Sequence, residues 1–199
     1  MKAVQAGISI ADYLEMEFNA MERHEYVEGK IRLMPYASEN HRHICHNINR
    51  LLGNFYLERE ENVFTNQTLV FFDHCERGYY PDITVFPPDI EYRDYRGKMK
   101  AALNPLVVVE VLSDSTEHVD RGEKWLCYQT IPSLRQYVLV SQNAMIVETY
   151  TRAPGSNEWH YQSFEGENAL VPIGDGHLPM KEIYRKVVFE PAAEEETEQ

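Results

Sequence analysis

The stretch LVVVEVLSDST, Leu106 to Thr116, sets one glutamate, Glu110, inside an apolar run. A continuous β-branched run of this kind reads as a strand covered on both faces, at the centre of a sheet. An ionised carboxylate without a partner there is costly. Glu110 therefore needs a proton, a basic partner or a cation, and the rest of the chain is read for what supplies it.

The flanking segments place this strand in a mixed α/β pattern. Residues 118–131, HVDRGEKWLCYQTI, read as a helix closed by Pro132, and residues 135–141, RQYVLVS, as a further strand. Strand, helix and strand over 106–140 imply a parallel crossover. Upstream, SIADYLEME (9–17) reads as a short helix capped by Ser9. HEYVEGKIRLMP (24–35) reads as a hairpin turning at Glu28-Gly29. A longer helix starts after Ser38, with Ile44, Ile48, Leu51, Leu52 and Phe55 on one face. TLVFF (68–72) and DITVF (82–86) are strands, MIVETYTR (145–152) and WHYQSFEG (159–166) continue a meander, and MKEIYRKVVF (180–189) reads as either helix or strand.

Composition bounds the class. The 199 residues carry 43% apolar and 26% charged residues, enough for one domain over 1–189. No apolar run reaches the length of a membrane span, and the N-terminus has no secretory pattern, so a cytoplasmic protein is expected. Cys45, Cys75 and Cys127 lie far apart and form no CxxC pair, so reduced thiols are expected. The net charge is −13; residues 190–199, EPAAEEETEQ, hold five of the acids and read as a disordered tail, which leaves −8 on the rest. That opposes casual nucleic-acid binding but suits a protein that gathers divalent cations.

A second acid answers Glu110. Asp82 heads the strand in YYPDITVFP, and neighbouring strands lie about 4.8 Å apart, so the two carboxylates can meet. Two converging carboxylates repel one another, and Mg²⁺, which prefers such oxygen ligands, removes the repulsion. Lys124 lies in the following helix with Tyr128 one turn later, so a base stands near the acids. The alternatives at this point are structural: a buried ion pair of Glu110 with Lys124, Asp82 as a turn cap, or Lys124 paired with Asp120. The stretch EYRDYRGK reads as a loop between strands; with Lys100 it groups Tyr92, Arg93, Tyr95, Arg96 and Lys98, able to meet a nucleic-acid backbone.

Taken in order, YVEGKI, a histidine opening a helix, YYPDITV, VVVEVLSDST, DRGEKWLCY and RQYVLV resemble the Uma-two family of the PD-(D/E)xK nuclease superfamily over residues 8–189. The resemblance implies a restriction-endonuclease-like fold, a central mixed β-sheet flanked by helices. It implies a metal-dependent endonuclease acting on DNA, with Mg²⁺ (Mn²⁺ as an alternative), working as a homodimer. Asp82, Glu110 and Lys124 would be catalytic, and Asp82, Glu110 and Glu28 would hold the metal. His41, Gln67, Ser113 and Tyr128 would support them. One departure stands out: Leu112 occupies the place of the motif lysine, so the lysine has to come from the helix, as Lys124. A binding module that keeps the fold without catalysis, and an enzyme on another phosphate ester, are the competing expectations.

Overall fold

A computed structural model describes residues 7–95 and 99–189. The acidic segment 190–199, as well as Arg96 and Lys98, lie outside the described residues.

The expected central strand is β9, Val107–Leu112, buried at all six positions. Its side chains alternate between two cores. Val107, Val109 and Val111 join one cluster, while Val108 and Leu112 join another. This strand therefore pays for its burial on both faces, each fully buried valine contributing about 1.5–3 kcal/mol. β9 pairs in parallel with β10, Gln136–Ser141, and antiparallel with β6, Ile83–Phe86. The mixed sheet is completed by β11, Ile146–Thr151, and β12, His160–Glu165, on one side, and by β3, Asn62–Thr65, beyond β6.

α2, Glu39–Phe55, covers one face of this sheet. Ser38 caps it by accepting from the His41 backbone N–H at 3.1 Å. Ile44, Ile48 and Leu52 recur at helical spacing and pack on Ile83, Val109 and Val138. The opposite face is covered by a helical segment and a second sheet. The segment begins as a π-helix, Val119–Lys124, and continues as α3, Trp125–Tyr128. Within the second sheet, β1 (His24–Val27) and β2 (Lys30–Leu33) form the expected hairpin, followed in the sheet by β5 (Arg77–Tyr79) and β4 (Val70–Phe72). Glu28 and Gly29 turn the hairpin with φ of 49° and 82°, the left-handed pair that a two-residue turn requires. α1, Ile10–Asn19, capped by Ser9, packs on this sheet through Tyr13 and Leu14.

Two readings change, and one left open is resolved. Of the stretch 91–98 read as a loop, Tyr92–Tyr95 is a strand, β7, which pairs antiparallel with β8 (Met99–Ala102) at the edge of the second sheet. Charges interleaved with the tyrosines hid an edge strand there. Cys75 and Cys127 are joined as a disulfide across 52 residues, which linear spacing does not reveal; Cys45 is free. Residues 180–189 start with a helical turn, α4 (Met180–Ile183), after a hairpin of β13 (Leu170–Ile173) and β14 (Gly176–Pro179). Among the described residues no helix is long and apolar enough to cross a membrane.

Candidate active site

The register of β6 on β9 pairs Ile83 with Val109. One step further along the same register, Asp82 stands opposite Glu110. Asp82 is 8% exposed and Glu110 3%. The Val111 backbone N–H donates to Asp82 Oδ2 at 2.8 Å, so the PD element is tied to the strand that carries the second acid.

The π-helical turn brings the base. It places Lys124 and Asp120, four residues apart, on one buried face. Lys124 Nζ lies 2.9 Å from Asp120 Oδ1, 3.1 Å from Glu110 Oε1 and 3.3 Å from Glu25 Oε1. Tyr128 donates its hydroxyl to the same Glu110 oxygen at 3.0 Å. The segment is held from below: Tyr137 donates to the Asp120 carbonyl at 2.9 Å, and Trp125 stacks on Tyr137. Leu112, in the place of the motif lysine, is core.

Three carboxylates, Glu25, Glu110 and Asp120, thus surround one ammonium, with Asp82 opposite Glu110, along a cleft of about 610 Å³ whose rim includes His41, Ser113 and the loop 34–38. Burial pushes the Glu110 pKa well up, and the neighbouring Asp120, Asp82 and Glu25 add to the rise while Lys124 opposes it. Burial pulls Lys124 down, but Glu110, Glu25 and Asp120 outweigh it, so the lysine remains an ammonium. Burial likewise lowers His41, and the Asp82 carboxylate, 3.1 Å from Nε2, reverses this and raises it. Tyr128 is held as a phenol by burial and by Glu110. The donors facing the cleft at Asp82, Glu110, Glu25 and Asp120 are carboxylate oxygens, the set a hard divalent cation takes.

The expected residues do not all meet. Asp82, Glu110, Lys124, Tyr128, His41 and Ser113 come together. Ser113 lines the cleft and bonds Ser115 and Thr116 at 3.1 and 2.8 Å. Glu28 does not: its side chain is 64% exposed and accepts from Arg77 Nη2 at 2.6 Å, outside the cleft lining. Gln67 is exposed in the turn between β3 and β4, and its neighbour Asn66 lines the cleft instead. The hairpin's contribution is Glu25. The signal was parity: Glu25 shares a strand face with Val27, which packs in the core next to Tyr79, whereas Glu28 sits in the turn.

Comparison with known proteins follows the same residues. The family model described as "Uma2: Putative restriction endonuclease" matches residues 10–176. The chain belongs to the Uma2 family. Two relatives are Synechocystis sp. proteins. The uncharacterized protein sll1609 is 32% identical over 164 residues, covering 82% of this chain and 91% of its own. The uncharacterized protein slr1290 is 29% identical over 183 residues, covering 92% and 94%. A crystal structure described as a putative nuclease belonging to DUF820, from Anabaena variabilis, superposes with a TM-score of 0.70 at 20% identity, over 89% of this chain and 97% of that one. That likeness shows the Uma2 chain to have a nuclease fold, restriction-endonuclease-like as expected.

Proposed function

We propose that this Uma2 protein is a metal-dependent nuclease hydrolysing phosphodiester bonds in DNA, with Asp82 and Glu110 as the ligands of Mg²⁺ or Mn²⁺ and Lys124 as the residue that positions water. The observation that carries it is the opposition of Asp82 and Glu110 on adjacent strands, with a buried ammonium on Glu110. Glu25, rather than Glu28, is the third acid in reach of that ammonium. A bound divalent ion would neutralise charge at the scissile phosphate and acidify an attacking water.

The chain's own groups then have separate tasks. Asp82 is fixed by the Val111 amide, so its carboxylate keeps its aim without reorganising. Lys124, charged and buried, donates N–H bonds; it orients water and holds a phosphate oxygen rather than removing a proton. Tyr128 locks the Glu110 carboxylate in one orientation. A water oxygen attacks phosphorus and gives up its proton to solvent, the bond to the leaving sugar oxygen breaks, and that oxygen takes up a proton from solvent. Paired cutting of duplex strands calls for two copies, and a homodimer is part of the proposal, to be read from light scattering in solution.

The test is cleavage of plasmid and single-stranded DNA with Mg²⁺. Asp82→Ala and Glu110→Ala are expected to abolish cleavage with the circular dichroism spectrum unchanged; undiminished cleavage by both would sink the assignment. A second reading has one observation in its favour: Lys124 already satisfies three carboxylates, as a structural ion cluster does. In that case the protein is a binding module, and titration calorimetry with Mg²⁺ and Mn²⁺ gives no heat.

A further inference from the structure

The nuclease reading leaves two donors beside Asp82, His41 and Cys45, without a task. His41 and Cys45 are four residues apart on α2, so their side chains reach the same side. Cys45 Sγ lies 3.5 Å from His41 Nδ1, and His41 Nε2 lies 3.1 Å from Asp82 Oδ2. One ligand atom from each of His41, Cys45 and Asp82 falls within 4.8 Å of the other two. Cys45 is a free, partly buried thiol, and Asp82 is buried.

Sulfur, nitrogen and oxygen together are a poor set for Mg²⁺, which takes oxygen ligands and keeps its waters. Thiolate and imidazole select Zn²⁺ or Co²⁺. With a metal–sulfur bond of about 2.3 Å and metal–nitrogen and metal–oxygen bonds near 2.0–2.2 Å, tetrahedral ligand atoms stand roughly 3.5 Å apart. A separation of up to 4.8 Å therefore closes with small side-chain movements. The adjoining cleft supplies the water for a fourth position.

We propose that His41, Cys45 and Asp82 form a site for a thiophilic divalent ion, Zn²⁺ or Co²⁺, and that filling it withdraws Asp82 from the hard ion it shares with Glu110. No electrons are transferred. The Cys45 thiol releases its proton to solvent as the sulfur–metal bond forms. One imidazole nitrogen of His41 gives its lone pair to the ion, the other stays N–H, and Asp82 gives a carboxylate oxygen. The competition rests on the nuclease reading of Asp82 and Glu110; the sulfur site does not.

The probes are the metals alone, added to the full chain. Co²⁺ is expected to give wild type a thiolate-to-cobalt charge-transfer absorption that Cys45→Ser lacks, and Zn²⁺ erases it. Mn²⁺ binding, followed by the electron paramagnetic resonance of the free ion, is expected to be reversed in wild type by stoichiometric Zn²⁺. In Cys45→Ser the Zn²⁺ needed rises roughly tenfold or more, the scale on which metal sites respond to loss of a partner. Should the serine variant not fold, alkylation of Cys45 in wild type gives the same answer: Zn²⁺ protects the thiol, and equal labelling with and without Zn²⁺ overturns the site. The absence of a sulfur band in wild type, or an equal band in both proteins, also overturns it. A sulfur band with no displacement of Mn²⁺ overturns the competition. Failure of Mn²⁺ to bind without Zn²⁺ overturns both the competition and the nuclease reading, and leaves the sulfur site standing.

Discussion

Glutamine at position 110 separates a metal ligand from one half of a structural ion pair. Glu110 Oε1 accepts from Lys124 and Tyr128 at 3.1 and 3.0 Å, and an amide oxygen accepts both bonds equally well. Glu110→Gln therefore removes the charge and keeps the hydrogen bonds. Oxygens of Glu25 and Asp120 lie 3.3 and 2.9 Å from the same nitrogen, so neither is more than about 6.4 Å from Glu110 Oε1. At an effective dielectric constant of about 20, unit charges interact by roughly 5 kcal/mol at about 3 Å and by roughly 2.8 kcal/mol at about 6 Å. The two repulsions together match the attraction to Lys124. What remains is desolvation, with Asp82 acting in the same sense, and these are the causes that raise the Glu110 pKa. In metal-free solution Glu110→Gln is expected to exceed wild type by about 1–3 kcal/mol, in line with buried charges replaced by neutral groups. At this chain length that is a rise of roughly 3–10 °C in Tm. The sign with pH follows: a carboxyl whose folded pKa is raised loses stability as pH climbs from its ordinary value of 4.5 toward the raised one, so the gap between variant and wild type widens over that window. With excess Mg²⁺ the wild type gains and the variant does not. Calorimetric melts in chelator and in Mg²⁺ read both effects. A variant less stable than wild type in chelator would refute the reasoning and make Glu110 a structural partner of Lys124.

Three further outcomes are expected. Lys124→Met leaves Glu25, Glu110 and Asp120 without their common cation and should cost about 3–5 kcal/mol in urea unfolding with chelator; an unchanged midpoint would show that the fold does not depend on this cation. Under denaturing conditions without reductant one thiol, Cys45, should react, and three after reduction; the Cys75–Cys127 link closes 52 residues, so Cys75→Ser should lose about 4 kcal/mol on the loop-entropy scale. Gly29→Ala places a Cβ 2.9 Å from Gly7 Cα at a φ of 82°, and a loss of about 1–2 kcal/mol is expected in chemical denaturation.

The sequence made the central sheet and its acids legible because β9 is buried on both faces and therefore uninterrupted by polar alternation except at Glu110. Asp82 followed from strand order, and Lys124 from the helix that closes the crossover. Glu25 could be reached only through its parity with Val27, a weak signal because β1 has only four residues and its face is set by partners distant in sequence. Glu28 drew the eye through its motif, yet its backbone lies in the left-handed region of a turn and its carboxylate goes to Arg77. Asp120 was visible as a partner of Lys124, but its burial depends on Tyr137 beneath it. The hairpin of β7 and β8 was missed because an edge strand shows little hydrophobic periodicity. Cys75 and Cys127 meet only once the second sheet has packed on α3.

Carrying the lysine on the π-helical turn instead of on β9 makes the site depend on phase. On a strand, the acid and a lysine two residues later share a face whatever precedes them. On a helix each residue rotates the side chain about the axis, by about 100° in an α-helix and by less in the wider π turn. Lys124 stands fourteen positions after Glu110, so one residue gained or lost between them would turn the ammonium out of the cleft while every motif letter stayed in place. Under the proposed assignment, the length of the segment 111–123 belongs to the site as much as the identity of Asp82, Glu110 and Lys124.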